Sequence, residues 1–126
     1  IIFCIGETIK QKNKGRTFLV LRNQIKGSLK KKFNLKNIII AYEPIWSIGT
    51  GNIPRQVDLI KIFKFIKYEC KKIFRTKSFP KVLYGGSVNE KNIRMFTSNS
   101  YIDGFLIGGS SQSSKKFIDI IKNYYK

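Results

Sequence analysis

A carboxylate stands at the end of a short apolar stretch and is followed at once by proline, in the run Ala41-Tyr42-Glu43-Pro44-Ile45-Trp46. Flanked by Tyr42 and Trp46, Glu43 would be partly shielded from water, and a partly desolvated carboxylate takes a proton more readily than a solvated one. A structural ion pair or a helix cap competes with that reading, and position alone favours it by roughly two to one, because structural networks also hold acids. The residues that follow shift the balance. Pro44-Ile45-Trp46 is stiff, Ser47-Ile48-Gly49-Thr50-Gly51 is small and flexible, and Asn52-Ile53-Pro54 is stiff again, which is the composition of a hinged lid. Gly49-Thr50-Gly51, Gly85-Gly86-Ser87 and Gly108-Gly109-Ser110-Ser111 offer backbone N–H groups unobstructed by side chains, two of them leading into helix N-termini, a geometry that binds phosphate. Turns use glycine for positive φ more often than for ligands, so any one of these alone has about a one-in-four chance of touching a ligand. Three on one face point to a phosphorylated small molecule. The chain has no histidine, which removes the commonest general acid/base and the commonest metal ligand. No metal and no cofactor are expected.

The elements that must position these residues repeat as β then α. The first unit has a strand at 1–5, a turn with Gly6, and a helix with Phe18, Leu21, Ile25 and Leu29 on one face, limited by Gly15 and Gly27. In the second, a strand at 38–42 leads through the loop 43–53 into a helix from near Pro54 to Phe74, with Leu59, Ile62, Phe63, Ile66, Cys70 and Ile73 as its buried stripe. A third strand at 81–84 precedes a short helix capped by Asn89, with Ile93 and Phe96 inward. A fourth, at about 104–107, precedes a final helix expected to bury Phe117, Ile118, Ile121 and Tyr125. Alternating strands and helices predict an α/β fold with a parallel sheet, either an open doubly wound sheet or part of a barrel. No linker divides residues 1–126. In such folds the loops past the strand C-termini build the site, and Glu43 and the glycine runs lie there.

With 126 residues and 42% hydrophobic composition the chain is suited to one core. Its strand-like start without Met reads as a beginning inside a domain. No apolar run approaches the roughly 20 residues that cross a bilayer, so no membrane partner is expected. Cys4 and Cys70 read as packed core thiols, and their separation suits a reducing cytoplasm better than a metal cage or a disulfide framework. The formal charge of +18 invites a nucleic-acid reading. Lys61, Lys64, Lys67, Lys71 and Lys72 instead lie along a helix and read as a solvated face, so no nucleic acid is expected.

The run at 41–51, Ala-Tyr-Glu-Pro-Ile-Trp-Ser-Ile-Gly-Thr-Gly, resembles the catalytic strand and lid of the triosephosphate isomerases. Cys4-Ile5-Gly6-Glu7 is similar to that family's fifth barrel strand, Tyr84-Gly85-Gly86-Ser87 to its seventh, and the run at 104–111 to its eighth, in the same order and spacing. The resemblance implies half of a (β/α)8 barrel, four parallel βα units forming its C-terminal half. It also implies that Glu43 is the base that moves a proton between two carbons of a small phosphorylated triose through an enediolate. Gly49, Ser87, Gly108 and Gly109 match the phosphate site. Glu7, Tyr42 and Trp46 match residues that hold the lid open, and Pro44, Thr50, Gly51 and Tyr84 belong to the lid and its closure. The family is cytoplasmic, glycolytic and gluconeogenic, and homodimeric.

Two departures stand out. The family closes its lid partly by a bond from the tyrosine at Tyr84 to a backbone N–H at the position of Pro54, and proline has no N–H. A weakened or rerouted latch is expected. Second, a whole barrel needs about 250 residues and eight strands, and the family's substrate-binding lysine, catalytic histidine and main dimer loop lie in the N-terminal half. The chain is therefore expected to need that half as a partner. An inactive remnant that binds phosphate without catalysis is the alternative; another phosphosugar enzyme on the same barrel would explain the glycine loops but not the lid.

Overall fold

The computed structural model describes residues 1–30, 33–75 and 78–126. Four strands, β1 (Ile2–Ile5), β2 (Ile39–Tyr42), β3 (Lys81–Tyr84) and β4 (Gly104–Phe105), form one parallel sheet in chain order. Cys4, Ala41, Leu83 and Gly104 stand side by side, and Ile5, Tyr42, Tyr84 and Phe105 form the next row. All four strands therefore end at the same edge, and their following loops are brought together there.

Between them run α1 (Ile9–Asn13), α2 (Thr17–Ser28), α3 (Gln56–Phe74) and α4 (Ser114–Tyr124), with single 3₁₀ turns at Leu35–Asn37, Ile93–Phe96 and Gly109–Gln112. The helix predicted in the first unit is thus two. A capping box starts the first, with Thr8 accepting from the Gln11 N–H and the Gln11 side chain accepting from the Thr8 N–H. Asn89 organises the turn before the third unit's 3₁₀ helix, its Oδ1 accepting from the N–H groups of Lys91 and Asn92 at 2.9 and 3.0 Å. Ile93 and Phe96 are buried as expected.

Side chains alternate across the sheet with a period of two. Ile5, Ile40, Tyr42, Val82 and Tyr84 pack under the helices, against Leu21 and Ile25 of α2 and Leu59, Phe63 and Ile66 of α3. Every predicted stripe residue of α3 is buried except Ile73, which packs half-buried against the core. The opposite face of the sheet is open at β1, where Ile2 and Cys4 are exposed. The expectation that Cys4 is a packed core thiol is therefore corrected: its register puts it on the uncovered face, whereas Cys70 is buried in α3.

The final helix also differs from expectation. Phe117, Ile118, Ile121 and Tyr125 are all exposed, Tyr125 by 82%, and Ile120 is the buried residue of α4. The cause is position. β4 is two residues long rather than four, because the chain leaves the ladder after Leu106 donates to Tyr84 O, and α4 lies over the last strand with no described element beyond it. Its inward contacts include buried Ile120 and the Tyr124 ring, edge-on to Phe105 at 5.7 Å.

Nor are the lysines of α3 uniformly solvated. Lys67 is largely covered and pairs with Asp103 at 2.7 Å, while that carboxylate also accepts from the Val82 N–H, tying α3 to the start of β3. Lys64, Lys71 and Lys72 stand over the rings of Tyr101, Phe79 and Tyr68. Glu69 is buried between Arg22 at 3.4 Å and Lys72 at 3.8 Å, which bridges α2 to α3.

Candidate active site

Glu43 sits one residue past β2, fixed by its own N–H donating to Ile5 O at 2.7 Å, and is half-buried at the edge where the strands end. Its side chain lies against Gly85, where an added Cβ would come within 2.7 Å of the Glu43 Cγ and 3.0 Å of Oε1. Only glycine leaves room for the carboxylate there. On the other side is Cys4. Burial and the adjoining Glu43 carboxylate, which takes its hydrogen bond and opposes a second negative charge, push the Cys4 thiol up to about 11. It is therefore a thiol and not a thiolate near neutral pH.

Glu43 opens onto a cavity of about 510 Å³ whose walls include Gly49, Gly51, Gly85 to Asn89 and Leu106 to Ser110. The structure thus gathers the sequence-predicted acid and all three glycine loops around one space, of a size that suits a small metabolite. The N–H groups of Gly49, Gly108 and Gly109 have no acceptor among the described residues. Lys116, in the first turn of α4, also lines the cavity, adding a cation beside the Gly108 and Gly109 loop.

The segment 44–54, expected from the sequence to be a lid, is tied down at both ends. At its root, Glu7 is buried to 1% exposure and accepts from three donors: the Tyr42 hydroxyl at 3.1 Å, the Trp46 indole N–H at 3.0 Å and, through its carbonyl, the Ile45 N–H at 3.1 Å. Burial, with the Glu7 charge second, raises the Tyr42 phenol well beyond its ordinary range, so it stays a donor. At the tip, Gly51, at a φ of +80° that favours glycine, donates to Ser87 Oγ at 3.0 Å. Ser87 Oγ in turn donates to Ser47 O at 2.5 Å, and the Ser87 N–H donates to Ser47 Oγ at 3.1 Å. Thr50 binds back within the lid, its hydroxyl reaching the carbonyls of Trp46 and Ser47.

These contacts place the sequence-predicted gating residues together. Glu7 and Tyr42 are buried and Trp46 half-buried in one hydrogen-bonded cluster, which coexists with the contact from Gly51 to Ser87. Tyr84 reaches the lid by another route than a backbone N–H near Pro54: its hydroxyl lies 3.1 Å from Ser47 Oγ.

A family model, triosephosphate isomerase, matches residues 1–124. Named triosephosphate isomerases from Borreliella burgdorferi (strain ZS7), Geotalea uraniireducens (strain Rf4) and Yarrowia lipolytica are 36, 40 and 42% identical over 97–98% of this chain, in each case across 50% of the relative. The crystal structure of triosephosphate isomerase from Bartonella henselae superposes with a TM-score of 0.85 at 32% identity, covering 99% of this chain and 50% of that one. The chain belongs to the triosephosphate isomerase family. It spans about half the length of the curated relatives it matches, and its four-stranded parallel sheet is half of that family's barrel.

As a triosephosphate isomerase half-barrel, the chain holds features that its motifs did not announce. Cys4 beside Glu43 was hidden because the pair is 39 residues apart and meets only through the β1–β2 register. Ser47 is one small residue among several in a flexible stretch, and the only signal was indirect, a proline without an N–H at position 54. Lys116 is one of the many lysines, and nothing local marks it out. Among the described residues no group of three or more His, Cys, Asp and Glu side chains could hold a metal, and no helix is long and apolar enough to cross a membrane.

Proposed function

We propose that this chain is the C-terminal half of a triosephosphate isomerase, active when joined to an N-terminal half, interconverting dihydroxyacetone phosphate and glyceraldehyde 3-phosphate in the cytoplasm as a step of glycolysis and gluconeogenesis. One observation carries the reading: Glu43 and the free N–H groups of Gly49, Gly108 and Gly109 open on the same cavity. A phosphate held by those N–H groups anchors one end of a three-carbon substrate, leaving its carbons to approach the carboxylate. Glu43 takes the proton from one carbon and returns it to the next, through an enediolate. Closing the lid over the intermediate excludes water, which strengthens hydrogen bonds to the developing oxyanion and limits side reactions.

Ser87 has a double task in this reading. Its hydroxyl and N–H hold Ser47, and the residue also borders the cavity that would take the phosphate. Polarising the substrate oxygen, and moving the hydroxyl proton from one oxygen to the other, falls to the other half, since this chain has no histidine. The complete protein is a homodimer in this reading and needs no cofactor. An isomerase assay tests it, on the 126-residue chain alone and joined to the N-terminal half of a relative. Turnover is expected only in the joined form. Turnover by the chain alone, or none in a joined and folded barrel, would overturn the proposal, the second result leaving a phosphate-binding remnant.

A further inference from the structure

The lid of this chain ends in Asn52-Ile53-Pro54, and a proline has no N–H to offer a partner. Something else must hold the far end down. Ser47, near the start of the same lid, is fully buried, and its hydroxyl meets three groups from three places. It donates to the Asn52 carbonyl at 2.5 Å, accepts from the Ser87 N–H at 3.1 Å, and lies 3.1 Å from the Tyr84 hydroxyl. A serine hydroxyl has one proton and two lone pairs. With its proton on Asn52 O and one lone pair on the Ser87 N–H, the remaining lone pair makes Tyr84 the donor in the third bond. All three capacities of Ser47 are then used, and Tyr84, itself fully buried at the end of β3, has its proton placed.

We propose that the Ser47 hydroxyl is the latch of the lid, a positioning residue that fastens both ends of the segment 44–54 to β3 and its loop. The inference rests on the isomerase reading for its effect on turnover, but the latch itself is geometric. The fit is tight: a Cβ on Gly86 would come within 2.2 Å of the Tyr84 hydroxyl and 2.6 Å of Ser47 Oγ. Removing the hydroxyl deprives the Tyr84 hydroxyl, the Asn52 carbonyl and the Ser87 N–H of this partner at once, and buried polar groups left so are costly. The lid should then prefer a conformation in which water satisfies them.

The test is Ser47→Ala, Tyr84→Phe and the double variant, in the barrel formed with an N-terminal half. Amide hydrogen exchange over 44–54 and the emission of Trp46, the chain's single tryptophan, report the lid without substrate; kcat and KM report its consequence. Ser47→Ala is expected to speed exchange in the lid about tenfold or more while the core of α3 stays protected, and to lower kcat/KM about 10- to 100-fold. Tyr84→Phe should do less, because Ser47 keeps two of its three bonds. The double variant should be no worse than Ser47→Ala, since Tyr84 acts through Ser47. Unchanged lid exchange in Ser47→Ala, or losses that multiply in the double variant, would overturn the latch. If Ser47→Ala fails to fold, Tyr84→Phe alone decides: faster exchange confined to the lid supports the latch, and parent-like exchange overturns it. A lid that loosens in a barrel without isomerase activity would leave the latch standing and remove the functional reading instead.

Discussion

Helices α3 and α4 have similar sequence character, each with apolar residues at three- and four-residue spacing, yet only one of them is covered. α3 lies over the middle of the sheet with α2 beside it, and Leu59, Phe63 and Ile66 are inaccessible to solvent. α4 lies over the last strand, and Phe117, Ile118 and Ile121 are 38–48% exposed. At the other end of the sheet β1 is similarly bare, with Ile1 and Ile2 exposed by 87 and 49%. An amphipathic stripe records what a helix is able to bury, and its neighbours decide what it does bury. Apolar surface at both ends of an open parallel sheet is what two unpaired edges require, and such edges invite association. The proposed base and lid lie between them, following β2 and touching β3 and its loop; β2 and β3 are the two strands with neighbours on both sides. Glu7 reaches the lid, and the Gly108–Gly109 loop the cavity, from beyond the edge strands β1 and β4.

That contrast can be broken in several places. The largest effect is expected at the interior site, where Glu43→Gln removes the proposed base: in a joined barrel kcat should fall by about 10³-fold, within the usual range for general base loss, with little change in melting temperature. A fall below tenfold would detach the chemistry from β2. Next come the two helices themselves. Phe63→Ala in α3 should cost about 3–5 kcal/mol of stability through loss of a buried ring and the cavity it leaves, whereas Ile118→Ala in the chain by itself should cost under about 0.5 kcal/mol, as for an exposed position. Urea titrations would compare them; equal costs would mean that α4 is covered after all.

Association tests the edge from another direction. If the bare faces drive the isolated chain to self-associate, the double change Ile118→Lys with Ile121→Lys should shift sedimentation toward smaller species while leaving far-ultraviolet circular dichroism unchanged. An identical sedimentation profile would place the sticky surface elsewhere, with β1 the next candidate.

The smallest effect concerns the open face beside the base. Cys4 is exposed, but partial desolvation and the Glu43 carboxylate raise its thiol to about 11, so alkylation near pH 8 should be slower than for a free cysteine and should rise with pH toward that value. Glu43→Gln removes the charge and leaves the burial, so the pKa falls and the rate should increase a few-fold without reaching the free-thiol rate. Mass-spectrometric labelling kinetics would read this, with Cys70, held up to about 12 mainly by burial, as the slow internal reference.

Much of this was open to reading from the residues. The alternation of strands and helices, the stripe of α3 and the gathering of Glu43 with three glycine loops follow from local periodicity and from the rule that parallel strands end together, while the consecutive order of the strands came with the family resemblance. A weakened or rerouted latch was foreseeable, because Pro54 lacks an N–H, but the contacts of Ser47 were not. Ser47 meets Tyr84 and Ser87 only because the β2–β3 register brings residues 37 and 40 positions apart into contact.

By itself, then, the sequence determined the periodic elements, the acid at the end of β2, the flexible lid and the family to which they belong, since each depends on bonds and patterns within a few residues. Tertiary structure alone decided that Cys4 lies beside Glu43, that Ser47 meets the Tyr84 hydroxyl, and that α4 keeps its apolar face in solvent. These depend on which surfaces meet, and a helix or strand carries no local record of where its sheet stops.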